Sequence, residues 1–186
     1  MMKFRSALLA GCFAATTALG LSACSSLPDE VDRAQIDAGS RAALNKLVSE
    51  NAAARAINNQ SRAVLVFPSM VKAGLGLGGA YGEGELIRNG ATVDYYNSMT
   101  GSWGLQAGAQ SYGYAVFLMN DDAVEYLSES DGWEIGVGPT VVLVNAGMAE
   151  NLSTSTLKED AYAFVFDQKG LMAGVSIEGT KITKMD

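Results

Sequence analysis

The chain is 186 residues long, with 13 lysines and arginines against 20 acids and no histidine. Its acidic balance is poorly suited to nucleic acid, whose binding depends on clustered cations and counterion release, and it argues against electrostatic docking of the whole body on anionic lipid, though not against a local basic patch. The missing histidine removes the commonest general base and the commonest transition-metal ligand together, so no Ser-His-Asp triad can be assembled.

Lys3 and Arg5 open the sequence, an apolar run follows from Ala7 to Leu21, and the run ends in Leu21-Ser22-Ala23-Cys24. A basic start, an apolar stretch short of the roughly 20 residues that span a bilayer, and small residues at a cut point make a secretory signal. The cysteine directly after Leu-Ser-Ala resembles the lipobox of bacterial lipoproteins. Residues 1–23 are therefore expected to leave as the signal, and residues 24–186 to remain as one domain, acylated at Cys24 and held to a membrane. Ser25 in place of aspartate matches the rule by which some bacterial lipoproteins reach the outer membrane, so the expected location is the cell envelope, facing the periplasm. Cys12 departs with the signal, which leaves Cys24 as the one thiol and no intramolecular disulfide; the domain depends on its core. The signal holds Lys3 and Arg5 but no acid, leaving 11 basic against 20 acidic side chains in the mature part.

Ser26-Leu27-Pro28-Asp29 has the spacing of a capping box with proline in the first turn, which predicts a helix starting almost at the lipid. Val31, Ala34, Ala38, Ala42, Leu44, Leu47 and Val48 mark its apolar stripe, and a break near Ser49–Asn51 precedes a second short helix ending near Asn58. From Ala63 the composition turns to glycine, β-branched and aromatic residues. Ala63–Phe67 reads as a buried strand ended by Pro68, Leu75–Ile87 as a glycine-rich strand, and Asn89-Gly90 as a tight hairpin turn before a returning strand over Thr92–Tyr96. Trp103–Met119 is a long strand with small residues on both faces, suited to strong curvature or to close cover by another backbone. Asn120-Asp121-Asp122 caps a short helix over Ala123–Ser128. Trp133–Val144, Ala161–Phe166 and Leu171–Ile177 read as further strands, the last two joined by a turn at Asp167–Gly170. The expected fold is α+β, with N-terminal helices packed on a strongly bent, mostly antiparallel, barrel-like sheet.

Three local motifs invite chemistry. Gly74-Leu-Gly76-Leu-Gly78-Gly79 fits a dinucleotide pattern, but a strand-like segment follows where that motif needs a helix, so the glycines are read as bends in a sheet. Ser69-Met-Val-Lys72 fits the serine-lysine pair of penicillin-binding enzymes without their S-D-N and K-T-G partners. Glu83 and Glu85 share a strand face, where acid-base work or a hard cation is conceivable and a solvated surface is the expectation. Five tyrosines, Tyr81, Tyr95, Tyr96, Tyr112 and Tyr114, suit either a sheet core or the lining of a pocket.

An ordered series of segments resembles the SYLF lipid-binding domain: Ala63-Val-Leu-Val-Phe-Pro68, Lys72-Ala-Gly74, Gly78-Gly-Ala-Tyr-Gly-Glu-Gly84, Tyr96-Asn97, Gly104-Leu-Gln-Ala-Gly-Ala-Gln110, Gly132-Trp-Glu-Ile-Gly136, Tyr162-Ala-Phe164, Lys169-Gly-Leu-Met-Ala-Gly-Val-Ser176 and Glu178-Gly-Thr-Lys-Ile182. The resemblance implies phospholipid binding, directed in eukaryotic relatives to phosphoinositides and in some joined to actin, and it implies that bacterial members are commonly lipoproteins. The expectation is a non-enzymatic, membrane-anchored lipoprotein that binds phospholipid and uses no metal or cofactor. Lys72, Lys169 and Lys181, the basic residues within these segments, are the candidates for headgroup contact. The alternative is a periplasm-facing adaptor for a protein partner, held at the membrane by its acyl chains alone.

Overall fold

The computed structural model describes residues 29–129, 132–144 and 157–186; the expected signal, Cys24 and the capping box from Ser26 to Pro28 lie outside them. Helices α1 (Asp29–Glu50) and α2 (Ala52–Asn58) come first, followed by strands β1 (Ala63–Arg88) and β2 (Ala91–Leu118). Helix α3 (Asp121–Glu129), β3 (Trp133–Glu134), β4 (Val141–Leu143) and β5 (Ala161–Lys184) complete the order. The sheet runs β1-β2-β5-β3 with antiparallel neighbours, and β4 adds a short parallel pairing to β5. The expected α+β architecture forms, the helices packing on a mixed sheet curled into a half-barrel.

Local chemistry sets the ends of the elements. Asn51 caps α2 by accepting from the Ala54 amide at 2.9 Å, and Asn120 caps α3 by accepting from the Ala123 amide at 2.8 Å. Asn89 and Gly90 both have positive φ (52° and 77°), the geometry of the two-residue hairpin that joins β1 to β2. The apolar stripe of α1 differs from the one expected. Ala34, Ala38 and Ala42 are exposed, and the face turned inward carries Ile36, Ser40 and Leu47. Ser40 donates to the Val66 carbonyl at 3.3 Å, so α1 lies close enough to β1 that a small hydroxyl serves at the contact.

β1, β2 and β5 are far longer than the usual strand of about five or six residues, and together they double over. In β1 the apex is Gly76 (φ 75°), one residue set against three of β2 between the pairs Leu75↔Ala107 and Leu77↔Trp103. The two arms of β1 then meet so closely that a Cβ on Gly84 would lie 2.1 Å from the Val66 carbonyl oxygen. On the arm holding residues 63–67, 114–118 and 161–164, both faces are covered. Val64, Val66, Phe117 and Phe164 pack towards α2 and the end of α1, while Leu65, Phe67, Val116 and Leu118 pack inward with α3 and Trp133.

Several strand ends differ from the expectation. Pro68 does not end β1; it sits in a bulge between Phe67 and Met70, where its missing N–H leaves no ladder bond unmade. The segments before and after Asp167–Gly170 are one strand, because β2 continues past them and the register shifts at Asp167 (φ 52°) and Gln168 instead of the chain reversing, Gly170 (φ 96°) being paired again with Gln110. The segments 92–96 and 103–119 are likewise one strand. Trp133–Val144 is not continuous: β3 and β4 pair with opposite ends of β5, and a turn lies between them. Glu85, expected on a solvated face, is buried beneath α1, where its Oε2 accepts from Thr92 Oγ1 at 2.6 Å.

Gly84→Ala is expected to cost about 2–3 kcal/mol by overpacking, whereas Gly101→Ala, whose Cβ would meet nothing within 4 Å, stays within about 0.5 kcal/mol; urea unfolding of both variants is the check. Burial pushes the Glu85 carboxyl up from its ordinary value, the Thr92 hydroxyl opposes this and the nearby Asp37 carboxylate adds to it. A raised folded-state value means that the contribution is intact below the ordinary carboxylate range and is lost as pH rises through the folded value. Glu85→Gln should therefore match the wild type in acid and exceed it by about 1 kcal/mol at neutral pH, read as the difference between their urea midpoints at the two pH values.

Candidate functional site

The doubling encloses a cavity of about 300 Å³ between the two arms. One arm supplies Met70, Gln110, Tyr112 and Tyr114, the other Ser98, Thr100 and Thr180, while Ile135, Val141 and Leu143 add an apolar wall. Thr100 and Thr180, register partners on β2 and β5, share a 2.9 Å hydrogen bond between their hydroxyls. Burial raises the Tyr114 phenol, and raises that of Tyr112 with help from the Glu178 carboxylate, so both rings stay neutral donors. Hydroxyls and an amide beside apolar walls suit a neutral polar group more than a free ion. Among the described residues no cluster of three or more Cys, Asp or Glu is placed to hold a metal.

The three candidate lysines are not brought together. Lys72 points into the cavity, is buried, and forms an ion pair with Glu178, which joins the β1 arm to the β5 arm across the bend. Lys169 and Lys181 are exposed on β5 and lie at opposite ends of its bend, paired with Ser111 and Met99 of β2. Ser69 is exposed on the other side of β1 and lines a surface cleft with Ile36 and Tyr81, so Ser69 and Lys72 do not form a reactive pair. Of the five tyrosines, Tyr112 and Tyr114 line the cavity, Tyr96 is in the core, and Tyr95 donates to Asp37 Oδ1 at 2.8 Å. The exposed Tyr81 donates to Glu83 Oε1 at 2.7 Å, and burial together with that bond pushes its phenol up to about 12. The two tryptophans also separate: Trp133 is wholly buried against Tyr126, and Trp103 projects into solvent.

The outer surface of the bend is the feature that residue-by-residue reading missed. Leu75, Leu77, Trp103, Leu105 and Leu171 are 83%, 71%, 72%, 88% and 88% exposed. The signal was present in β2, where Ser98, Thr100 and Ser102 alternate with Met99, Gly101 and Trp103, but alternation alone does not say which face meets water.

With this geometry in view, residues 99–186 match the family model described as Ysc84, Las17-binding protein actin regulator. The matched segment from Met99 to Asp186 carries the bend of β2, α3 and all of β5, and the model is that of the family to which the SYLF resemblance pointed. A search of curated proteins gives no match to the chain.

The Lys72–Glu178 pair ties the two arms together through a buried ammonium and a half-exposed carboxylate. Lys72→Met is expected to cost about 1–2 kcal/mol, and Lys72→Met/Glu178→Gln to recover most of it; a double-mutant cycle in urea measures the coupling.

Proposed function

We propose that this protein is a non-enzymatic lipoprotein, acylated at Cys24, whose domain binds phospholipid in the cell envelope, at the outer membrane and facing the periplasm. The observation that carries this reading is the ordered SYLF-like series from Ala63 to Ile182, joined to the Ysc84 match over residues 99–186. Two features support it. Leu21-Ser22-Ala23-Cys24 resembles a lipobox and precedes α1 by a few residues of sequence, and the exposed leucines of the bend supply the kind of contiguous apolar surface that marks protein or membrane contact. A chain without histidine, whose Ser69 and Lys72 face apart, supports binding in preference to catalysis. No described helix is long and apolar enough to cross a membrane, so in this reading the attachment comes from the acylated cysteine and the domain's own lipid contact.

The family description names a regulator that binds Las17, and this favours a second reading in which the domain is an adaptor for a protein partner. Flotation separates the two. A soluble form beginning at Ser25, which retains every described element, is expected to float with phosphatidylethanolamine/phosphatidylglycerol vesicles; recovery at the bottom of the gradient with every bacterial phospholipid tried leaves the adaptor. The anchor is tested separately. Mass spectrometry of the natural product should show acyl chains on Cys24, and Cys24→Ser should abolish incorporation of labelled palmitate; an unmodified amino end or a retained leader overturns the anchor.

A further inference from the structure

The part of the sheet that the helices leave uncovered is built inside out. Along β2 the buried side chains are polar, Ser98, Thr100, Ser102 and Gln106, while Met99, Trp103 and Leu105 face solvent. Gln106 donates to Ser102 Oγ at 2.8 Å, so polar groups satisfy one another on the inside of the bend, as the Lys72–Glu178 pair does. A sheet with one face in water normally has the reverse arrangement. Polar-in and apolar-out is the arrangement of strands whose outer surface meets lipid.

The neighbouring strands extend this surface. Leu75 and Leu77 on β1 and Leu171 on β5 lie beside the outward residues of β2, through the register Leu75↔Ala107, Leu77↔Trp103 and Ala109↔Leu171. No charged residue occurs in residues 73–82, 95–120 or 170–177, so all three strands pass through the bend uncharged in a chain that carries 33 charged side chains (13 basic plus 20 acidic). Charge returns at the two flanks. Lys169 closes the row Val71–Ser111–Lys169, and Lys181 closes the row Tyr81–Met99–Lys181.

We infer that this bend is a membrane-insertion element: Leu75, Leu77, Trp103, Leu105 and Leu171 enter the apolar boundary of a phospholipid bilayer, with Lys169 and Lys181 flanking them at the depth of the phosphates. The inference rests on the phospholipid-binding reading above and adds where and how contact is made. Three observations favour a bilayer over a rigid protein partner. The leucines stand on the convex side of a fold apex, a shape that enters a soft medium. The central strand β2 keeps its pairing with β5 through the apex and loses its pairing with β1 only at residues 104–106, so most of its backbone groups enter a dry medium already satisfied. Trp103 and Tyr81 with two flanking lysines form the set of side chains that anchors proteins at membrane–water boundaries, with an apolar body inward and a polar tip outward. Lys72, committed to Glu178 inside the cavity, takes no part, so apolar burial and not a basic headgroup grip sets the affinity.

The test uses the soluble form beginning at Ser25 with Trp133→Phe, so that Trp103 is the sole fluorophore of its kind, and zwitterionic phosphatidylcholine vesicles with or without bromine on the acyl chains. The expected result is a blue shift of Trp103 emission, quenching by the brominated lipid, and vesicle affinity that changes less than about two-fold between low and high salt, because apolar burial is not screened as charge is. Leu75→Ser, Leu105→Ser and Leu171→Ser, all at solvent-exposed positions, should leave the thermal midpoint unchanged and each weaken vesicle binding by about ten-fold. If the protein binds vesicles but Trp103 keeps its aqueous emission and the leucine variants bind like wild type, the insertion element is wrong and lipid binding stands. If the protein binds no vesicle of any composition, both fall. A blue shift that rises with protein concentration and needs no lipid assigns the bend to self-association and overturns the inference.

Discussion

One constraint shapes the molecule: β1, β2 and β5 are hydrogen-bonded along nearly their whole lengths, so none of them can bend alone. The bend is placed where β1 carries Gly76 at positive φ, and it closes until Gly84 meets the Val66 carbonyl. A larger residue at position 84 would hold the arms apart. Everything described as a site follows from that closure, because it brings the inner faces of two sheet arms together and turns the outer face of the apex away from the rest of the protein. The Lys72–Glu178 pair joins residues 106 positions apart in the chain, and it exists only because the arms fold over.

Polarity is distributed accordingly. Where α1, α2 and α3 cover the sheet, both faces are apolar and the strands read as continuous hydrophobic runs, as doubly covered strands do. Beyond the helices the pattern inverts, with hydroxyls, an amide and an ion pair within and leucines without. This inversion costs stability in water, since the apolar side chains gain nothing from folding there, and a cost of that kind is retained where function uses the surface. The Ysc84 match begins at Met99, just before the apex of β2, and runs through the whole of β5, so the matched segment contains most of the inverted strand together with one of its two neighbours.

Features governed by a few consecutive residues were legible. The Asn51 and Asn120 caps, the Asn89-Gly90 hairpin and the change from alanine-rich helix to glycine-rich sheet at Ala63 all depend on hydrogen bonds or dihedral angles within a turn of chain. Features governed by what lies across the sheet were not. Pro68 and Asp167–Gly170 carry the chemistry of chain breaks, yet they become bulges because a neighbouring strand runs on beside them. Glu85 has the character of a surface acid, and it is buried because α1 crosses that part of β1. On α1 the exposed alanines and the inward Ser40 trade places for the same reason, the close approach of the Val66 backbone.

The amino-acid order by itself determined the α+β class, the bent sheet, the lipobox-like cysteine and the set of basic residues within the family-like segments, since each is written in short patterns of size, charge and backbone preference. The tertiary structure alone decided that Lys72 is turned inward to Glu178, that Lys169 and Lys181 stand on opposite flanks, and that the leucines between them face out. A strand's alternation assigns residues to two faces without saying which face is covered, and that is fixed only when distant segments fold against it.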